Sequence, residues 1–161
     1  MLVVVCGLPG VGKTTVAERV VEQLDAEMLR TDVVRKELFP DPDYTDEESQ
    51  AVYDELFSRT RDRLQADEDV VLDATFQEAA KRERARRVAE ETGRAFELVY
   101  VRCDLDGVEK RIEQREGDES DADFEVHLLF RETFDPIEGD HVVVDNSDGL
   151  ASTYEQVDAV F

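Results

Sequence analysis

At 161 residues the chain has room for one domain with an adequate core and little for a second. Its 41 acidic residues stand against 19 basic ones, 15 of them Arg and 4 Lys, for a net charge of −22. Such a field argues against broad, non-specific binding to nucleic acid or to an anionic membrane, and no apolar run approaches membrane-spanning length.

Self-repulsion on this scale destabilises a compact state unless counterions screen it, which points to a protein adapted to a salt-rich cytoplasm. The melting temperature is therefore expected to rise steeply with KCl. Melting curves recorded from dilute buffer to molar KCl check this, and a salt-independent midpoint removes the halophilic reading. Two cysteines, Cys6 and Cys103, imply no disulfide framework, and a cytoplasmic protein with both thiols reduced is expected.

Along the chain, the apolar run Leu2 to Val5 reads as a first strand rather than a signal segment, and a helical pattern follows with Val16, Val20 and Leu24. "EMLR" (27–30) is a short second strand, and "FPDPDYTDEE" (39–48), with two prolines, is a connecting loop. Val52, Leu56, Thr60 and Leu64 recur at helical spacing across 46–67, widened by Tyr53 and Phe57. "DVVLDATF" (69–76) carries the third strand, and the helix marked by Ala85, Val88, Ala89 and Thr92 stops at Gly93. A fourth strand, "AFELVYVRC" (95–103), precedes a helix with Leu105, Val108 and Ile112, capped by Asp104. A helix over roughly 122–133, a fifth strand "HVVVDNS" (141–147) and a helix over roughly 151–160 complete the chain. Strand–helix alternation with near-continuous apolar strands predicts a three-layer α/β sandwich around a five-stranded parallel sheet, in one domain over 1–161.

The strongest chemical signal is "VVVCGLPGVGKTT" (3–15), in which Gly7, Gly12, Lys13 and Thr14 fit G-x-x-x-x-G-K-[ST] between a strand and a helix. Its glycines let backbone N–H groups turn inward and cradle an anion at a helix N-terminus. Residues Gly7, Leu8, Pro9, Gly10, Val11, Gly12, Lys13, Thr14 and Thr15 are accordingly assigned to the triphosphate of ATP. Lys13 adds a mobile charge for the β- and γ-phosphates, and the Thr14 hydroxyl is a ligand for Mg²⁺. Asp73, at the end of an apolar strand, is the second candidate Mg²⁺ ligand, directly or through water.

Ligands of an open parallel sheet sit beyond the carboxyl ends of its strands, which directs attention to Thr31–Arg35, Asp73–Phe76, Cys103–Asp106 and Asn146–Ser147 as well as the P-loop. After the second strand, Asp32 and Arg35 fall three residues apart, on one face if the segment is helical. A carboxylate there can accept the proton of an attacking hydroxyl while the guanidinium grips an anionic acceptor; alternatively the pair is a helix cap and a solvated arginine. Thr75 is a weaker acceptor contact, with Gln77 beside it. Arg111 and Arg115, at i, i+4 in "EKRIEQRE" ahead of the hydrophilic "GDESDAD", suit a cationic lid over 111–125; they equally suit a salt-bridged surface helix. The basic run "KRERARR" (81–87) reads first as a solvated, salt-bridged face, with docking of a phosphorylated acceptor as the alternative. His127 and His141 lack the company of a zinc site. Neither a guanine-reading N-K-x-D string nor a protein-kinase H-R-D loop occurs.

Taken in order, "GLPGVGKTT", "RTDVVRKELF", "VVLDATF" and "RIEQREGDESDAD" resemble the small P-loop kinases of the zeta-toxin/AAA_33-like group. The kinase domain of phage polynucleotide kinase, chloramphenicol phosphotransferase and gluconate kinase are relatives of that group. The resemblance implies the sheet order 2-3-1-4-5, Asp32 as general base and Arg35 as acceptor grip. It further implies Arg111 and Arg115 as contacts to ATP phosphates, and a loop at Asn146 and Ser147 bordering the adenine. The implied activity is transfer of the γ-phosphate of ATP to a hydroxyl of a small molecule or a nucleic-acid end, with Mg²⁺ as cofactor. A nucleotide-dependent regulator and a plain ATP-hydrolysing protein are the alternatives.

Overall fold

A computed structural model describes residues 1–115 and 120–161, with side chains outside 114–123. The first element, β1 (Leu2–Cys6), lies at the centre of the sheet because all five of its residues are apolar and fully buried. Leu2, Val4 and Cys6 face one hydrophobic layer and Val3 and Val5 face the other, the period-2 alternation of a strand covered on both sides.

After α1 (Lys13–Leu24), β2 (Glu27–Arg30) runs without a loop into α2 (Thr31–Leu38). The segment 39–45 then leads to α3 (Asp46–Gln65), whose N-cap Thr45 accepts from the Glu48 amide at 3.2 Å. Next come β3 (Val70–Asp73), α4 (Ala79–Glu91), β4 (Phe96–Arg102) and α5 (Leu105–Arg115). The chain closes with α6 (Ser120–Thr133), β5 (Val142–Asp145) and α7 (Leu150–Asp158). All strand pairs are parallel, in the order β2-β3-β1-β4-β5. Asp104 caps α5 through the Gly107 amide at 2.6 Å.

Two apolar layers hold the sheet. One joins Leu2, Val4 and Leu72 to Val52, Leu56 and Phe57 of α3 and to Ala85 and Val88 of α4. The other joins Val3, Val5 and Val99 to Val16 and Val20 of α1, Val108 and Ile112 of α5 and Val157 of α7.

The third strand is shorter than its apolar run suggests. It ends at Asp73, because the chain turns sharply to bury Phe76, which takes a left-handed φ of 47° that a bulky side chain rarely adopts. Phe76 meets the Tyr53 ring edge-on at a centroid distance of 5.4 Å. That turn brings Thr75 to the carboxyl edge beside Gly7, whose amide donates to the Thr75 carbonyl at 3.3 Å. Register aligns Val5, Asp73 and Arg30 across β1, β3 and β2 at the same edge. The side chain of Arg115 and the segment 116–119 lie outside the described residues, so the lid expected over 111–125 is described only in part.

The basic run 81–87 is largely spoken for within α4 and its neighbours. Arg84 pairs with Asp54 at 2.6 Å, Arg86 and Arg87 with Glu83, and Lys81 with Glu78. Arg82 is buried and donates to the carbonyls of Phe76 and Asp135. Among the described residues no helix is long and apolar enough to cross a membrane.

Candidate active site

The loop between β1 and α1 is shaped by where its carbonyls are tied. Lys13 Nζ donates to the Leu8 carbonyl at 2.9 Å. His127 of α6 donates from Nδ1 to the Pro9 carbonyl at 2.6 Å, and Asn146 Nδ2 donates to the Val11 carbonyl at 2.9 Å. In a trans peptide the N–H points opposite its carbonyl. Fixing the Pro9 and Val11 carbonyls therefore orients the Gly10 and Gly12 amides, the donors an anion cradle needs. Asn146 is itself held by the Thr153 hydroxyl of α7, and both side chains are buried.

Gly12 is the N-cap of α1 at φ 90°, and a Cβ there would lie 2.2 Å from Asn146 Nδ2 and 3.2 Å from Arg111 Nη1. No side chain fits at this position, for reasons of both conformation and space. Leu8 and Val11 turn their side chains into the core, so their share of the loop is backbone. Val108 and Ile112 of α5 pack beside Gly10, which brings Arg111, one residue before Ile112, over the loop.

Beyond the loop opens a cleft of about 530 Å³. Pro9, Gly10, Gly12, Lys13, Thr14 and Thr15 line one side, and Arg30, Thr31, Asp32, Asp73 and Thr75 line another; Arg111, Tyr44, Val126 and Phe130 enclose it. Asp32, in the first turn of α2 and exposed, thus shares one cavity with Lys13 and Thr14. The helix dipole favours a carboxylate at that end.

Thr14 Oγ1 donates to Asp73 Oδ2 at 2.7 Å, and Asp73 is only 5% exposed. Arg30 Nε donates to the same carboxylate oxygen at 3.2 Å, and Arg30 Nη2 to Thr14 Oγ1 at 3.3 Å. These donors fit Mg²⁺. They are hard oxygens at the P-loop edge, and Mg²⁺ is commonly held by one or two protein oxygens with phosphate and water completing the octahedron. Among the described residues no group of three or more His, Cys, Asp or Glu forms a site for a fully protein-bound metal.

Arg35 has other partners than the expected acceptor. Its guanidinium donates to Ser49 Oγ at 3.0 Å, lies 3.8 Å from Glu48 Oε1 and stacks at 5.0 Å from the Tyr44 ring centroid. It is absent from the cleft lining, because α3 presents Glu48 and Ser49 to it. Tyr44, which does line the cleft, is the surface Arg35 supports. Of the lid pair, Arg111 lines the cleft. Gln77 bonds to Thr133, and the Ser147 hydroxyl accepts from the Asp104 amide at 2.9 Å. Asn146 is committed to the P-loop rather than presented to a ligand.

Sequence reasoning passed over Arg30, His127 and the clamping role of Asn146. Arg30 was discoverable as the last residue of β2 at the carboxyl edge; the other two carry no local signal. Burial disfavours the thiolate form of both cysteines: it pushes the Cys6 thiol up to about 12, and it also raises Cys103 despite the nearby Arg111 guanidinium.

Comparison with known proteins shows the family and the fold. The Mycobacterium tuberculosis uncharacterized protein Rv2004c is 34% identical over 139 residues, covering 78% of this chain and 28% of that protein. The chain therefore spans little more than a quarter of the length of the curated relatives it matches. In fold it is similar to a gluconokinase from Sinorhizobium meliloti (TM-score 0.73, 22% identity, 98% of this chain and 89% of that one). It is equally similar to the Mycobacterium tuberculosis APS kinase CysC in complex with AMPPNP and APS (TM-score 0.73, 22% identity, 99% and 94%). The family model described as an AAA domain, AAA_33, matches residues 2–137, a stretch that holds the P-loop, Arg30, Asp32, Asp73 and Arg111. The chain belongs to the AAA_33 family of P-loop proteins.

Proposed function

We propose that this chain is an ATP-dependent phosphotransferase that moves the γ-phosphate to an acceptor hydroxyl. The observation that carries the reading is the cavity shared by Asp32, Lys13 and Thr14. Such a cavity leaves room for an acceptor hydroxyl between a carboxylate and the phosphate cradle.

In this reading the P-loop amides and Lys13 hold the triphosphate, and Thr14 and Asp73 hold Mg²⁺, which neutralises charge on the phosphates when bound. An acceptor lies between Asp32 and the γ-phosphorus, against Thr75 and Tyr44. Asp32 takes the proton of its hydroxyl as that oxygen bonds to phosphorus, and the bond from phosphorus to the bridging oxygen of ADP breaks. Arg111, with Arg115, stabilises charge on the transferring group. Val126 and Phe130 close the cleft with apolar surface and so limit access of water. Little covalent work falls to the protein; positioning and charge carry the reaction. The same reading makes the chain one cytoplasmic kinase domain.

Transfer of labelled γ-phosphate to a panel of nucleosides, oligonucleotides, sugars and polyols, at molar KCl, tests the proposal. A labelled acceptor that depends on Mg²⁺ is the expected result. Release of free phosphate alone across the panel overturns it in favour of hydrolysis.

A further inference from the structure

Arg30 stands where the metal ligands are. It is the lateral neighbour of Asp73 in the β2–β3 ladder, so the register itself delivers its side chain to that carboxylate. Its guanidinium donates to one lone pair of Asp73 Oδ2 and to one of Thr14 Oγ1, while the Thr14 hydrogen points to Asp73. Those are the two side chains proposed to hold Mg²⁺, which seeks oxygens at about 2.0–2.1 Å in near-octahedral order. A guanidinium and a divalent cation cannot share one carboxylate oxygen at close range without strong like-charge repulsion.

The two partners differ in freedom. Asp73 is 5% exposed, whereas the Arg30 side chain is 35% exposed and lines the cleft. Arg30 can thus turn out of the pair without moving backbone, and Asp73 cannot. A buried carboxylate left with no cation is costly, so exchanging one cation for the other keeps Asp73 neutralised in either arrangement.

We propose that Arg30 and Mg²⁺ compete for the Thr14–Asp73 oxygens, and that binding of metal-bound nucleotide turns the guanidinium off this pair into the cleft. Arg30 is then a positioning residue that sets how much Mg²⁺ the site demands. The inference rests on the reading of the cleft as a Mg²⁺–ATP site, and not on transfer to an acceptor.

Competition differs from a fixed strut in one measurable respect: removing the competitor makes the metal bind more readily. ATP affinity is measured by calorimetry across a Mg²⁺ titration for the native chain and for Arg30→Ala, Arg30→Gln and Arg30→Lys. In the Ala and Gln variants the Mg²⁺ concentration giving half of the full affinity gain is expected to fall on the order of 3- to 10-fold, as for a partly exposed charged contact. Arg30→Lys keeps the charge and is expected to stay near the native midpoint. Thermal melting accompanies each titration, and Gln, which retains hydrogen-bonding capacity, decides the matter if Ala does not fold. An unchanged or raised midpoint in the folded uncharged variants overturns the proposal and makes Arg30 a strut. A native chain that binds Mg²⁺–ATP yet phosphorylates nothing leaves the inference intact, whereas one that binds no nucleotide overturns both.

Discussion

Replacement of Asp32 by Asn is expected to lower phosphoryl transfer by about 10² to 10⁴-fold, the usual worth of a positioned general base. ATP affinity should be nearly unchanged. The substitution keeps the shape and the hydrogen-bonding reach of the side chain while removing its ability to take a proton. Asp32 is exposed in the first turn of α2, with no packing role to lose, so the variant should melt close to the native chain. Single-turnover transfer and equilibrium ATP binding, measured side by side, separate the possibilities. A kinase loses transfer and keeps nucleotide; a chain that merely hydrolyses ATP has no transfer to lose. Native-level transfer in the Asn variant would remove the assigned role of Asp32.

Arg111→Ala carries the second large effect, about 10² to 10⁴-fold in turnover, on the scale of other cationic contacts to a transferring phosphoryl group. Arg111 lines the cleft, and a Cβ on Gly12 would lie 3.2 Å from its Nη1, so its charge sits against the phosphate cradle. The loss should appear in kcat more than in KM, because charge builds on the transferring oxygens beyond what the bound nucleotide carries. Arg111→Lys should recover only part of it, since a lysine offers a point charge in place of a planar fork. Comparable kcat values for the native and Ala enzymes would leave Arg111 as a surface residue of α5.

Much of the fold was legible because burial on both faces writes itself as apolar runs. β2 at 27–30 was read to the residue, and the alternation of strands and helices held throughout. Strand ends were less legible where tertiary structure intervenes. "DVVLDATF" continues as an apolar run past Asp73, but burying Phe76 between α3 and the sheet requires a turn that no local pattern announces. The helix α2 was hard to bound because it abuts β2 without turn residues.

The site divides the same way. The P-loop, Asp32 and Asp73 were singled out from motif and strand-end position, and all of them line one cleft. Arg35 was assigned from its spacing to Asp32, yet spacing cannot register Glu48 and Ser49, which approach from another helix. Arg30 was open to the strand-end rule as the last residue of β2, but its pairing with Asp73 follows only from lateral register. His127 meets the loop across 118 residues of chain, a separation no periodicity detects.

Asn146 and Thr153 have a consequence for how the molecule is dissected. The family match stops at residue 137, whereas the amide that braces the Val11 carbonyl and the hydroxyl behind it both come later. A fragment cut at the family boundary would retain every residue of the signature and forfeit its rear buttress. The nucleotide-gripping unit is therefore larger than the segment by which its kinship is recognised, and the final strand and helix belong to it as working parts.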